Sequence, residues 1–150
     1  MPAIRVLVAD DDADFRGALA EVLEADRRFS VVGKAACGDE AIALARELRP
    51  DVVLLDVRMP GGGPEAARSL TTGGAPYPTV VAVSAQTGAS GVVDMLRAGA
   101  VGYLAKGRLG AQLPDLVARA AGGEVVLAVP GAVEALRQML QPMSQPAPVA

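Results

Sequence analysis

Short runs of apolar residues alternate with longer amphipathic segments along most of this chain. The runs begin near residues 4, 29, 52, 79 and 101, and each is followed by a segment with apolar positions at helical spacing. Such short runs, rich in valine and leucine, are typical of strands covered on both faces. Repeated alternation of strand and helix predicts a parallel sheet with right-handed crossovers. The pattern therefore predicts a doubly wound α/β fold with five parallel strands and helices on both faces.

Two of the predicted strands end in acidic residues. The first is followed by Asp10 and Asp11, and the third by Asp56. Ligands of parallel sheets bind beyond the carboxyl ends of the strands, so these carboxylates are expected to converge. Crowded carboxylates repel one another and favour a hard cation such as Mg²⁺. Asp12 also belongs to the acidic run, and we interpret it as a helix-start residue, because aspartate is a common N-cap.

Two further polar side chains follow the fourth and fifth strands. Ser84 ends the fourth strand, and Lys106 follows the fifth. Taken singly, a serine there is more often a turn cap and a lysine an ordinary surface residue. If the first, third, fourth and fifth strands lie side by side, however, these two groups join the carboxylates in one crevice. That set is typical of a metal-assisted phosphoryl site.

Composition excludes several classes of function. The 150 residues are about one domain long, and the net charge of −3 with a pI near 4.9 gives no basic surface for nucleic acid. No apolar run approaches the ~20 residues that span a membrane. The sequence has no histidine and one cysteine, Cys37, which excludes a typical zinc site and an internal disulfide. With no secretory signal, the chain is expected to be cytoplasmic.

Four motifs resemble the receiver domain of bacterial two-component response regulators. They are Val-Ala-Asp10-Asp11-Asp12, Leu-Leu-Asp56-Val-Arg58-Met59-Pro60, Val-Ser84-Ala85 and Gly-Tyr103-Leu-Ala-Lys106, in the order of that family. The resemblance covers roughly residues 4–122. It implies a flavodoxin-like sheet with strand order 2-1-3-4-5.

The resemblance also implies roles for the acidic residues. Asp56 matches the phospho-acceptor, which takes a phosphoryl group from the phosphohistidine of a sensor histidine kinase. Asp10 and Asp11 match the acid pair that holds Mg²⁺, Asp11 directly and Asp10 largely through water. Arg58 would add its backbone carbonyl to the metal.

The remaining motif residues match the switch of the family. Lys106 would pair with the phosphoryl group and Ser84 would donate to it, while Tyr103 would act as the aromatic switch. The alternative for Tyr103 is a purely structural role, as a half-buried aromatic side chain of the strand whose hydroxyl contacts water. Arg58 and Gln86 occupy positions that tune loss of the phosphoryl group. The surface that changes would be the fourth helix, fifth strand and fifth helix, through which a homodimer is also plausible.

The chain departs from many receivers after Lys106 and near its end. Gly107 stands where many receivers have proline, and this Lys-Gly pair is similar to that of regulators with a helix-turn-helix output. We therefore expect a receiver domain over residues 1–122 and a C-terminal extension over 123–141. The extension contains a short apolar run and one extra helix, and residues 142–150 have linker composition.

Several readings of function stay open. The first is a phosphorylatable switch that acts on itself and is not a turnover enzyme, and the output that it controls is expected to be transcriptional. It would be either a stand-alone receiver or the front end of a transcription factor. A phosphorylation-independent interaction module is disfavoured because the side chains that phosphorylation would need are all present: Asp10, Asp11, Asp56, Ser84 and Lys106. A phosphohydrolase with an aspartyl nucleophile usually carries a second acid two residues on, where this chain has Arg58.

Overall fold

Six strands and six α-helices alternate along the chain in the computed structural model, which describes residues 2–74 and 76–141. The predicted alternation of strand and helix is therefore confirmed. Two 3-10 turns, Lys106–Arg108 and Gly110–Gln112, lie between β5 and α5. The elements are β1 Ile4–Ala9, α1 Ala13–Glu24, β2 Phe29–Ala35, α2 Gly38–Leu48, β3 Val52–Asp56, α3 Pro64–Leu70, β4 Thr79–Ser84, α4 Ala89–Arg97, β5 Gly102–Ala105, α5 Leu113–Ala121, β6 Val126–Ala128 and α6 Ala132–Leu140.

The six strands form one parallel sheet with the order β2-β1-β3-β4-β5-β6. The predicted order 2-1-3-4-5 is confirmed, but the count of five strands is wrong by one. The sixth strand is the short apolar run of the predicted extension, and its Val126–Ala128 pairs with Gly102–Leu104 of β5. A run of three residues is too short to show a strand period in sequence. Its pairing with the edge of β5 is what makes it a strand.

Each face of the sheet carries its own apolar core. Along β1 the buried side chains alternate, so that Val6 and Val8 pack with α1 and α5 while Leu7 and Ala9 pack with the other helices. This alternation follows from the two-residue period of a strand. Because both faces are covered, the carboxyl edge of the sheet is left as the place where strand-end side chains can meet a ligand.

The C-terminal extension packs onto the same domain. Ala135 of α6 is fully buried in the core cluster that also contains α4 residues. Gly131, just before α6, lies so close to the β4–α4 loop that a Cβ there would overlap the backbone of Thr87 and Ala89. The surface proposed for a homodimer is therefore partly covered, because β6 pairs with β5 and α6 packs against α4.

Two predictions about the remaining chain meet different outcomes. Residues 142–150, predicted to be a linker-like tail, lie outside the described residues. Among the residues that are described, no helix has the length and apolar character needed to cross a membrane.

The close contact at Gly131 predicts that an added side chain there disturbs the packing of α6 and destabilises the fold. Gly131→Ala should lower the free energy of unfolding by about 1–3 kcal/mol, because the new methyl group meets backbone atoms that cannot turn aside. Urea unfolding followed by circular dichroism measures it. Gly17→Ala in α1, where an added Cβ meets nothing within 4 Å, is the control and should be neutral or stabilising. Equal effects of the two variants would contradict this packing of α6.

Candidate functional site

The predicted site residues gather at the carboxyl edge of the sheet. Asp10 directly follows β1, Asp56 and Ser84 are the last residues of β3 and β4, and Lys106 directly follows β5. These four strands are neighbours in the order β1-β3-β4-β5. The structure therefore brings together the groups that sequence analysis expected to share one crevice.

Three carboxylates form the floor and rim of this crevice. Asp10 and Asp56 are almost completely buried, with 1% and 4% of their surface exposed, whereas Asp11 is exposed. One oxygen from each of the three lies within 4.8 Å of the others. Two buried carboxylates held this close repel each other unless positive charge compensates them.

Lys106 supplies part of that positive charge. Its Nζ lies 2.8 Å from Oδ2 of Asp10 and 3.6 Å from Oδ2 of Asp56. Burial acts to lower the pKa of Lys106, but the two carboxylates outweigh it and raise the pKa, so the side chain is an ammonium at neutral pH. Apart from this ion pair with Lys106, Oδ2 of Asp10 has no partner within the described part of the chain.

One lysine does not offset the crowding completely. Burial raises the pKa of Asp56 from 3.8 to about 6, and the charge of Asp10 adds to that rise. The backbone N–H of Arg58, 3.2 Å from Oδ1 of Asp56, and the ammonium of Lys106 act in the opposite direction. The carboxyl group of Asp56 is therefore held in a less stable charged state than an ordinary aspartate.

These groups fit a hard divalent cation. The donor set is three carboxylates, of which Oδ2 of Asp10 is buried and contacts only the Lys106 ammonium, and oxygen ligands of this kind are those that Mg²⁺ takes in proteins. A cation at this position would also offset both the burial and the repulsion from Asp10 that raise the pKa of Asp56.

Ser84, Gln86 and Tyr103 form a second set of contacts beside the carboxylates. Ser84 is fully buried, and its Oγ accepts a hydrogen bond of 3.0 Å from the backbone N–H of Gln86. The hydroxyl of Tyr103 donates to the carbonyl of Gln86 at 2.8 Å. Tyr103 is fully buried rather than half-buried with a wet hydroxyl, and burial raises its pKa. The side chains of Arg58 and Gln86 are exposed at the rim.

Sequence reasoning missed two neighbours of the site on α1. The ring of Phe15 lies under Lys106, with Nζ 4.4 Å from the ring centroid, and Nη1 of Arg16 donates to the carbonyl of Asp10 at 2.7 Å. In the sequence, Phe15 is only one of several apolar positions at helical spacing in this segment. Asp12 behaves as predicted: its Oδ1 accepts from the backbone N–H groups of Asp14 and Phe15 and caps the helix.

A cavity of about 730 Å³ lies away from these groups. Its lining includes Arg46, Arg49, Asp51 and Tyr77, near the ends of α2 and α3 and the start of β4. This is the amino-terminal edge of the sheet, opposite to the carboxylates. We take the carboxyl edge as the functional site because buried, mutually repelling charges converge there.

Comparison with known proteins identifies what this arrangement is similar to. The profile of the response regulator receiver domain matches residues 6–118. The response regulator GacA of Pseudomonas aeruginosa is 44% identical over 69% of this chain and 49% of its own length. The transcriptional regulatory protein YxjL of Bacillus subtilis is 39% identical over 82% of this chain and 56% of its own length. The chain thus spans about half the length of these relatives.

Solved structures give the same result. A two-component response regulator of the LuxR family from Aurantimonas superposes with a TM-score of 0.82, at 27% identity, over 93% of this chain and 100% of that one. The response regulator domain of Thermotoga maritima CheB gives 0.74 at 32% identity, over 82% of this chain and 99% of that one.

The comparisons correct one prediction from sequence. We expected this chain to be a switch and not a turnover enzyme, and that prediction is wrong, because relatives that share this domain are enzymes. Protein-glutamate methylesterase/protein-glutamine glutaminase 2 of Photobacterium profundum is 39% identical over 69% of this chain, which covers 26% of that enzyme. Likeness to these proteins therefore does not separate the chain from enzymes, because the matched part is a fraction of the whole.

The crowding of Asp56 predicts a pH-dependent gain in stability on removing its charge. The pKa of Asp56 is near 6 in the folded protein, against an ordinary value of 3.8. The stability that protonated Asp56 contributes is therefore fully present below pH 3.8 and is lost as the pH rises through 6. Asp56→Asn should therefore raise the free energy of unfolding at pH 7.5 by about 1–2 kcal/mol, and by less at pH 4.5.

Urea unfolding in the presence of a chelator measures this gain. Asp94→Asn, which changes an exposed residue of α4, is the matched control and should shift little at either pH. A gain at Asp56 that is the same at both pH values would show that its carboxylate is not destabilised by burial and by Asp10.

Proposed function

The chain belongs to the response regulator receiver domain family, and from this membership we propose that Asp56 accepts a phosphoryl group from the phosphohistidine of a sensor histidine kinase. The observation that carries the proposal is the placement of Asp56, a buried carboxylate at the end of β3 with Lys106 on one side and two further carboxylates beside it. Buried acids in this arrangement destabilise the fold, which is the expected mark of a site kept for chemistry.

The proposed step forms one bond and breaks one. A carboxylate oxygen of Asp56 attacks phosphorus, the P–N bond of the phosphohistidine breaks, and its electron pair returns to the imidazole nitrogen. The product is an acyl phosphate. With a pKa near 6, Asp56 is mostly ionised at pH 7 to 8 and so is available as the nucleophile.

Mg²⁺ is the cofactor that the acidic residues support. Asp10, Asp11 and Asp56 would hold it, with the backbone carbonyl of Arg58 as a further ligand. Bound there, the ion supplies positive charge between the carboxylates and the phosphoryl oxygens. The exposed Asp11 is proposed as a direct ligand and the buried Asp10, already paired with Lys106, as a ligand through water.

Lys106 and Ser84 are proposed to bind the transferred group. The ammonium of Lys106 already lies 3.6 Å from Oδ2 of Asp56, so a short movement brings it to a phosphoryl oxygen. Oγ of Ser84 accepts from Gln86 in the structure, which leaves its own hydrogen free to donate. Arg58 and Gln86, exposed at the rim, are proposed to tune how fast water removes the group.

The proposed signal leaves the site through Ser84. A movement of Ser84 toward the phosphoryl group pulls on Gln86, whose carbonyl holds the hydroxyl of Tyr103. That change would reshape the surface of α4, β5 and α5. A homodimer through this surface is proposed only with displacement of α6, which packs on α4.

The output is proposed to be transcriptional. GacA is a response regulator and YxjL a transcriptional regulatory protein, and this chain covers about half of each. A transcriptional output in the remaining part of a longer protein, acting in the cytoplasm, is consistent with those matches. Incubation with acetyl phosphate and Mg²⁺ decides between this proposal and the competing one of a phosphorylation-independent module.

Asp56 is predicted to be the site of a phosphate adduct. Incubation with acetyl phosphate and Mg²⁺ should add one phosphate to the intact mass, and Asp56→Asn should abolish the addition. Asp12→Asn is the matched control, because Asp12 belongs to the same acidic run but caps α1, and it should still be modified. A wild-type protein with no Mg²⁺-dependent adduct would contradict phosphoryl transfer and favour the interaction module.

Asp11 and Asp10 are predicted to differ in their effect on Mg²⁺ affinity. Loss of a direct ligand costs more than loss of a ligand that acts through water, so Asp11→Asn should weaken binding by roughly tenfold more than Asp10→Asn. Isothermal titration with Mg²⁺ measures both affinities. Equal losses would overturn the assignment of Asp11 as the direct ligand.

A further inference from the structure

Lys106 is held from two sides, and only one of them is acidic. The carboxylates of Asp10 and Asp56 lie 2.8 and 3.6 Å from its Nζ, and the ring of Phe15 lies 4.4 Å away, measured to the centroid. We propose that Phe15 is a positioning residue, whose ring face holds the ammonium of Lys106 at the acid cluster. The inference rests on the proposed function for its effect on rate, but its geometry can be tested separately.

Two consecutive hydrogen bonds connect the backbone of Phe15 to the first carboxylate. Oδ1 of Asp10 accepts from the backbone N–H of Asp12 at 2.9 Å, and Oδ1 of Asp12 accepts from the backbone N–H of Phe15 at 3.1 Å. The acidic run therefore winds directly into the first turn of α1 and turns Phe15 toward Lys106. Asp12 is not one of the proposed metal ligands, and its contribution to the site is this hydrogen bond with the backbone of Phe15.

Lys106 begins a 3-10 turn directly after β5, and the position of its ammonium is set by contacts of the side chain. The lysine side chain has four flexible carbons, so the ammonium has many positions open to it. An aromatic face attracts a cation at this distance, and more strongly when the cation is partly withdrawn from water. The side chain of Lys106 is 19% exposed, which meets that condition.

A packing role alone does not account for Phe15. The other phenylalanine of the chain, Phe29, is 6% exposed and lies in the core between the sheet and the helices α1 and α5. Phe15 packs against the same cluster but is only partly buried. Both rings have a cation near one face, but the cation at Phe29 is the guanidinium of Arg28, 5.6 Å from the centroid and paired with Asp26 and Asp115 away from the site. The cation at Phe15 is Lys106 of the acid cluster, and this is the difference between the two rings. The chain thus offers a matched control for any loss of phenylalanine from this core.

The first arm of the test observes the contact itself. The chain has two lysines, Lys106 and the exposed Lys34 on β2, so lysine labelled with ¹³C and ¹⁵N gives two sets of side-chain signals. Protons above an aromatic face resonate upfield. The Hε signal of Lys106 should lie upfield of that of Lys34, move toward it in Phe15→Leu, and stay upfield in Phe15→Tyr and Phe29→Leu.

The second arm measures the consequence for the reaction. Phe15→Leu keeps an apolar side chain of similar size but removes the ring face. It should slow phosphorylation by acetyl phosphate roughly 3- to 30-fold, from the usual strength of a cation–π contact. Phe15→Tyr should restore the rate. Phe29→Leu should lower the unfolding midpoint yet leave the rate near that of the wild type.

The outcomes separate the inference from the function beneath it. A Lys106 signal with no upfield displacement in the wild type, or equal slowing by Phe15→Leu and Phe29→Leu, overturns the positioning role. Failure of the wild type to form an acyl phosphate overturns the proposed function alone, because the comparison of lysine signals does not depend on phosphoryl transfer and still decides the role of Phe15.

Discussion

The structure depends on one electrostatic constraint, which is that two carboxylates are held side by side out of water with a single ammonium between them. The sheet imposes this closeness. Ala9 of β1 is level with Leu55 of β3, so Asp10 and Asp56, the next residue of each strand, are level too. Both are almost fully buried. Their mutual repulsion and the desolvation of both groups destabilise the fold. Burial of the apolar core on the two faces of the sheet has to offset this destabilisation.

The register of the other strands then sets the shape of the crevice. Asp56 is level with Val83, which places Ser84 one step further along, and Ser84 is level with Ala105, which places Lys106 one step further again. Asp10 and Asp56 are therefore level, while Ser84 and then Lys106 each lie one residue further toward the carboxyl edge of the sheet. Lys106 reaches back to Asp10, and the ring of Phe15 meets it from α1. The order of the strands, together with this stagger, is therefore what converts four separate strand ends into one site.

Local sequence carried most of this information, and long-range packing carried the rest. Apolar runs that end in polar or charged residues predicted the strands, the shared edge and the residues Asp10, Asp56, Ser84 and Lys106, because strand period and strand ends are local properties. The three-residue strand β6 could not be predicted in this way, since only its pairing with β5 defines it. The aromatic contact of Phe15 was likewise hidden, because in sequence it is one apolar position on an amphipathic helix. The burial of Tyr103 depends on α4 and the β4–α4 loop, which no local pattern reveals.

The β4–α4 loop connects the site to the C-terminal part of the chain. Gln86 in this loop bonds the hydroxyls of both Ser84 and Tyr103, and the end of the loop, from Thr87 to the first residue of α4, lies against Gly131 just before α6. Packed elements of this kind respond to a shift by changing place rather than by gradual deformation. A displacement of the loop toward the carboxylates therefore alters both the support of Tyr103 and the seat of α6. Since β6 covers the edge of β5 and α6 covers part of α4, the C-terminal extension shares its packing with the same loop that contacts Ser84 and Tyr103.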